Sequence, residues 1–512
     1  MITVRVMAIV LFSTQCLARS SNDDPELVAL SNQLAKSMNL AVKPCDNFYE
    51  FVCGNYNELD RSRQGNDQNL QLLTVRELNS RWSNIDWIQY LASLDRIGGK
   101  NTDVEHLLKR EVLIDADVVT FVNEWLATGS RRLLKNFVMF QFAKKQIGFL
   151  GSSDESRTSI QQKQYDCGGK VYADLAMASS RLFAQHDNIT RHDLDMVYGM
   201  FHAVAAGFES MLHETEWLST ESRSAALKKL HYIARVVGYP YWVFDTKQLD
   251  EHYAELDLCW GEDAYVAFSK CQSWKARNRH TVTDEPVDRY KSFGGVLNAA
   301  YVQAWYAGSL NAVTLPAAFL HKPIFSTNYP LAFQYGRLGF VAAHEIGHAF
   351  DNSGVYHGPL GEKGAWLSTE SSSSFKSTVQ CLIHQYAGYC LEEQTGDQLE
   401  CQQTATLNMI DQNIADNAGV PAAYRTFKAM EKLTGGQYQP LPGPMSSYTS
   451  DQLFFISMGS FWCSKNRGTV GSYPAAAYRT NGPLHNTPEF AAAFNCPADS
   501  YMAPEKRCKI WH

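Results

Sequence analysis

The chain has 512 residues, a hydrophobic fraction of 45% and a formal net charge of −7. That hydrophobic content excludes a largely disordered chain, and the length suits two lobes around one cleft better than a single body. With no basic block and no arginine–aromatic stripe, nucleic acid is excluded as a partner.

The first eighteen residues read as an export signal. Arg5 supplies positive charge, Val6 to Phe12 is apolar, and Cys16-Leu17-Ala18 offers small residues before a cleavage point. A membrane span needs about 20 apolar residues, whereas this run ends at Ser13-Thr14-Gln15 and no later segment is long enough. A secreted, extracellular protein without a membrane span is expected. Asn188-Ile189-Thr190 is a glycosylation sequon. From about Ser219 to Val237, Ala225, Ala226, Leu230, Ile233 and Ala234 alternate with Lys228, Lys229 and Arg235 at amphipathic helical spacing, with the basic residues on other faces, until Gly238-Tyr239-Pro240 stops the helix. The polar stretch Lys275 to Glu285 suggests a lobe boundary near residue 285. Ala312 to Leu315 reads as a short strand ending at Pro316, a sheet edge near the cleft, and Ser371 to Ser374 as a loop leading into a helix. The fold class is α+β, mainly helical.

Cysteine usage agrees with export. Of 12 cysteines, Cys16 leaves with the signal, so eleven remain, and no CxxC suggests a structural zinc or redox site. Disulfides are the better reading, and the odd count leaves at least one thiol unpaired or bridged to another chain.

His344-Glu345-Ile346-Gly347-His348 carries the chemistry. Histidines four apart on a helix project from one face, one turn apart, where a single Zn²⁺ accepts both at about 2.0–2.1 Å. Glu345 is placed to take a proton from zinc-bound water and pass it to a leaving amine. A third ligand has to come from elsewhere, and the segment Asn408 to Asn417 is the place to look. Positions 412 and 416 share a helical face, so a ligand and a supporting partner can both point at the metal helix.

That segment resembles the neprilysin (M13) family of zinc metallopeptidases, in which a Glu-Asn-Ile-Ala-Asp pattern follows the HExxH helix and supplies the third ligand. Further patches agree in order. Pro44-Cys45-Asp46-Asn47-Phe48-Tyr49-Glu50-Phe51-Val52-Cys53-Gly54 resembles the family's amino-terminal signature. Asn298-Ala299-Ala300-Tyr301 resembles its substrate-binding strand, and the tail from Cys496 through Cys508 to Trp511 resembles its carboxyl terminus. The resemblance implies a thermolysin-like catalytic lobe, assigned to 286–512, and a helical capping lobe, assigned to 19–285 after the 1–18 signal. It implies internal cleavage of short peptides. His344 and His348 would be ligands, Glu345 the general base and Asp416 the residue orienting a ligand histidine. Asn298 and the Ala299 backbone would hold the peptide main chain, and Arg479 a substrate carbonyl or carboxylate.

Three departures follow. Gln412 stands where the family has its ligand glutamate; a neutral amide is a poor donor, so zinc should bind weakly, and Asp411 lies about 100° round the helix from it. The family's oxyanion histidine is missing from Ser472 to Arg479, where the Tyr473 phenol is the substitute donor and His485 the nearest downstream histidine. The chain is also short between Cys53 and Cys167, within the capping lobe. By resemblance Cys45 pairs with Cys496, Cys53 with Cys463 and Cys381 with Cys508. Proximity in sequence pairs Cys259 with Cys271 and Cys390 with Cys401. Cys167, whose family partner falls in the missing stretch, is then the free thiol, open to an intermolecular disulfide. The functional expectation is a peptide-binding or peptide-cleaving protein with catalysis weak or lost; the alternative is a fully active extracellular metalloendopeptidase.

Overall fold

The computed structural model describes residues 24–56, 70–97, 174–256, 264–280, 303–389, 409–436, 440–464 and 473–511, together with short stretches between 103 and 127 and residues 171 and 289. The export signal, Asn298, Ala299, Cys167, Cys259, Cys390 and Cys401 lie outside them. The fold is mainly helical. The helices that position the site are α1 (Phe48–Cys53), α2 (Arg191–Glu214), α3 (Thr220–His231), α4 (Phe340–Gly347), α5 (Thr369–Ala387), α6 (Ile410–Leu433), α7 (Ser450–Phe461) and α8 (Ala476–His485). Strands β1 (Leu70–Thr74) and β2 (Glu111–Asp115) form an antiparallel pair. A second sheet holds β3 (Ala234–Gly238), β4 (Trp305–Ala307) and β5 (Ala312–Pro316) in the order β3-β5-β4.

Several helix starts were written locally. Thr190 and Asp193 form a reciprocal capping box at α2, Thr449 and Gln452 another at α7, and the Ser219 hydroxyl caps α3. Three local readings are corrected. Residues 234–237 leave the helix and form β3, because Ala234 to Val237 pair in parallel with Ala312 to Leu315 and bury Val236 and Val237. β5 is the central strand, flanked by β3 and β4, and every residue of it is buried. Ser371 to Ser374 lie inside α5, whose Ser368 cap starts the helix before the serine run.

The principal core draws on helices from both ends of the chain, and a small separate cluster (Val75, Leu78, Trp82, Trp87, Leu91, Leu107) fills the region of β1. At its centre α4 crosses α6 closely. A Cβ on Gly347 would lie 3.0 Å from the Ala415 backbone, and one on Gly419 would lie 3.0 Å from the His344 nitrogen. Absent side chains at these two points let the backbones approach. Disulfides Cys45–Cys496, Cys53–Cys463 and Cys381–Cys508 tie the amino-terminal segment and α5 to the carboxyl-terminal end of the chain. Cys271 is a buried thiol among the described residues; Cys259, its expected partner, lies outside them. Cys271 sits on a helix, Ala264–His280, and burial pushes its pKa up, with the nearby Asp174 charge acting in the same sense.

Candidate metal centre and its supports

The whole of α4 is buried, which its run Phe340-Val341-Ala342-Ala343 before His344 dictates. A π-helical turn, Tyr335–Gly339, leads into it and a 3₁₀ turn, His348–Phe350, ends it. His344 and His348 therefore sit one turn apart, with their Nε2 atoms 3.1 Å from each other. Two ligands of one tetrahedral ion with bonds of 2.0–2.1 Å stand about 3.3 Å apart, so the two imidazoles are placed to share a cation.

Each histidine is held from behind by a carboxylate. His344 Nδ1 lies 2.8 Å from Asp416 on α6, and His348 Nδ1 lies 2.6 Å from Asp351. Asp416 is fully buried and receives Arg479 of α8 in a two-pronged contact, Nε at 2.8 Å and Nη2 at 2.9 Å. Burial would raise the Asp416 pKa, but the Arg479 and His344 charges outweigh it and hold it below the usual carboxylate range. The guanidinium rests on the Trp462 ring, 3.8 Å from its centroid. Arg479 thus serves as the anchor of Asp416, a contact that sequence reading did not anticipate. Asp351 was missed as well, although a carboxylate three residues after a helical histidine is a readable signal. Glu345, beside the first histidine, is buried, and burial pushes its pKa up to about 7.

The helix α6 brings Gln412 to the same face as Asp416. Its Nε2 lies 3.2 Å from His348 Nε2, while its Oε1 is buried without a hydrogen-bond partner among the described residues. Oxygen and nitrogen of an amide exchange by a half-turn of the group, so Gln412 can direct its orphan oxygen at His348. Asp411 points elsewhere, accepting from the Ser353 hydroxyl. Among the described residues no group of three His, Cys, Asp or Glu side chains could hold a metal ion. Two imidazoles and one amide oxygen are what converge here. In donor type the two imidazoles and the amide suit zinc; in charge the set lacks the carboxylate.

Tyr473 stands by this centre, half-buried, its ring 5.7 Å from the Arg479 guanidinium carbon and its hydroxyl accepting from Gln303 at 3.0 Å. His485 belongs to the core. It pairs with the Tyr389 hydroxyl at 2.6 Å and packs edge-on to Tyr501. Burial lowers its pKa to about 4. Between that value and about 6.5 in the unfolded chain, the unfolded state binds more protons, so stability falls as pH drops through this window. His485→Phe should flatten that slope by up to about 3 kcal/mol, measured as urea midpoints at pH 7 and pH 4.5. Asn188 is exposed with φ 53°, next to Thr190, whose hydroxyl caps α2.

Comparison with known proteins follows the same lines. Two family models described as peptidase family M13 match the chain, over residues 57–240 and 303–510. Neprilysin-1 of Caenorhabditis elegans is 30% identical over 427 residues, which cover 80% of this chain and 54% of that protein. An endothelin-converting enzyme homolog of Locusta migratoria is 29% identical over 320 residues, 61% of this chain and 42% of the relative. The chain spans about half the length of the curated relatives it matches. In fold it is similar to the Mycobacterium tuberculosis zinc metalloprotease ZMP1 in complex with inhibitor (21% identity, TM-score 0.64, 95% of this chain and 70% of that one). It is also similar to a chain of the Haemonchus galactose containing glycoprotein complex (18% identity, TM-score 0.67, 96% and 100%).

Proposed function

Because the chain belongs to peptidase family M13, we propose that it is a secreted protein that keeps the family's peptide cleft while its peptide hydrolysis is weak or absent. The observation that carries this reading is the Gln412 amide, 3.2 Å from His348 Nε2 on the face that the family reserves for a ligand carboxylate. His344, His348 and the Gln412 oxygen would hold zinc, which when bound supplies Lewis acidity and an activated water. A neutral third donor binds the cation less tightly and leaves the centre one negative charge short. Glu345, with its pKa near 7, is poised to accept a proton and return it to a leaving amine. Asp416 and Asp351 keep both imidazoles turned toward the ion. Asn298 and the Ala299 backbone hold the peptide main chain, and Arg479 meets a substrate carbonyl or carboxylate, in a cleft between a catalytic lobe (286–512) and a shortened capping lobe (19–285). Three disulfides, and no helix among the described residues long and apolar enough to cross a membrane, support export. Glycosylation at Asn188 and a free Cys167 open to an intermolecular bridge belong to the same reading.

Zinc content tests it. The purified, untagged protein, dialysed against a zinc buffer, should hold less than one zinc per chain and cleave peptides near background. One zinc per chain with peptide cleavage at ordinary family rates would overturn the proposal. It would favour instead a working metalloendopeptidase, for which the intact Glu345 and both carboxylate–histidine pairs speak. Tyr473 is assigned the oxyanion donor's part. In any preparation with measurable turnover, Tyr473→Phe should lower kcat by about 10²–10³; unchanged turnover disposes of that role.

A further inference from the structure

Lys229 is the second of two adjacent lysines in α3, and helical spacing puts it with Lys228 on a polar face. The structure corrects this: Lys228 is exposed, but Lys229 is fully buried. Its Nζ donates to the carbonyls of Ala349 and Gly354, at 2.6 and 2.5 Å. The rings of Tyr306, Phe350 and Trp366 surround it, with centroids 5.7–5.9 Å away, and Asp351 and Glu362 are the charges that act on it. Burying an ammonium is costly unless its donors are satisfied, and a methionine would fill the same space without that cost. Burial pulls the Lys229 pKa down to about 7, against the raising pull of Asp351 and Glu362, yet the amine is kept with both carbonyls as its acceptors, which points to work done on those carbonyls.

Ala349 lies in the 3₁₀ turn that ends the metal helix, where the last carbonyls lack intrahelical partners and a cation is favoured by the helix dipole; Gly354 opens the next 3₁₀ turn, Gly354–Tyr356, and its carbonyl also accepts from the His357 nitrogen at 3.0 Å. The turn folds back tightly: a Cβ on Gly354 would lie 2.0 Å from the His348 oxygen. Asp351 spans it. One carboxylate oxygen accepts from the Ser353 and Gly354 nitrogens, at 2.9 and 2.5 Å, and the other meets His348 Nδ1 at 2.6 Å. The Gly354 residue is thus gripped at its nitrogen by Asp351 and at its carbonyl by Lys229.

We propose that Lys229 is a positioning residue of the metal centre, a buried amine donor that fixes the turn Ala349 to Gly354 and through it the Asp351 carboxylate against His348. This rests on the reading of His344, His348 and Gln412 as a zinc site, and two measurements separate the claims. By chelator competition, Lys229→Met should weaken zinc binding 10–100-fold, as loss of a group supporting a ligand histidine typically does, and Asp351→Asn should do the same. The double variant should bind no more than about threefold more weakly than the worse single one, since both act along one path. Multiplying losses, or zinc affinity in Lys229→Met within twofold of the parent, would overturn the proposal. The second measurement needs no zinc. In metal-free, histidine-labelled protein the hydrogen-bonded Nδ1 proton of His348 should give a downfield resonance that Lys229→Met moves upfield. If the parent binds no zinc, the zinc reading fails and this resonance still decides the role of Lys229: an unmoved resonance overturns it. Should Lys229→Met not fold, Lys229→Gln, an uncharged donor of shorter reach, takes its place with a smaller effect in the same direction. Failure of both to fold, while Asp351→Asn folds, would make Lys229 a residue of stability alone and overturn the proposal.

Discussion

Gln412→Glu is expected to tighten zinc binding by about 100-fold, or ~2.7 kcal/mol, and to raise peptide hydrolysis above that of the parent. The reason lies in what surrounds position 412. The amide is within reach of His348, and its oxygen is buried with no partner among the described residues, so a carboxylate of the same length meets the cation without moving the helix. Asp411 gives no rescue as a ligand, because its carboxylate is engaged by the Ser353 hydroxyl. Gln412→Ala supplies the control: it removes the amide donor and should weaken zinc binding further. Metal affinity is read by chelator competition and hydrolysis with a quenched peptide. If the glutamate variant binds zinc no better than the parent, position 412 is not the third ligand site, and the account of weak catalysis falls with it.

Arg479→Met should destabilise the folded protein by about 3–5 kcal/mol, because it strips the partner from a fully buried carboxylate. Asp416 is 0% exposed, and Arg479 makes both of its close guanidinium contacts. With the cation gone, burial drives the Asp416 carboxyl toward its neutral form, and a neutral acid is a weaker acceptor for His344 Nδ1. Zinc affinity should therefore fall together with stability. Urea unfolding with the disulfides oxidised gives the first quantity and chelator competition the second. The double variant Arg479→Met, Asp416→Leu should recover part of the stability and none of the zinc affinity, since it removes the unpaired charge without restoring the support of His344. A loss under about 1 kcal/mol in the single variant would mean that the pair is not buried as described.

The parts of the centre that were legible in the sequence are those whose spacing is set within a few residues. Histidines four apart had to share a face once the apolar run Phe340 to Ala343 made α4 a buried helix, and 412 and 416 had to share one on α6. The cysteine pairs Cys45–Cys496, Cys53–Cys463 and Cys381–Cys508, expected by resemblance, are bonded in the structure. Even Asp351 was within reach, three residues from His348. Beyond these disulfides, which the resemblance supplied, contacts between distant segments were not legible. Residues 234–237 carry a helical pattern, yet backbone pairing with β5 outweighs that local preference, as propensity yields to tertiary contacts. The same non-local pairing made β5 central where its short apolar run suggested an edge.

By itself, then, the sequence determined a mainly helical fold and a two-histidine helix paired with a glutamine-bearing one, because helical periodicity and local caps depend only on near neighbours. Tertiary structure alone decided that Arg479 anchors Asp416, that Lys229 is buried beneath the turn after the metal helix, and that Cys271 is buried. Which face of a helix is inside, and which charge finds a partner, depends on what the rest of the chain packs against it; two adjacent lysines share one composition but not one environment.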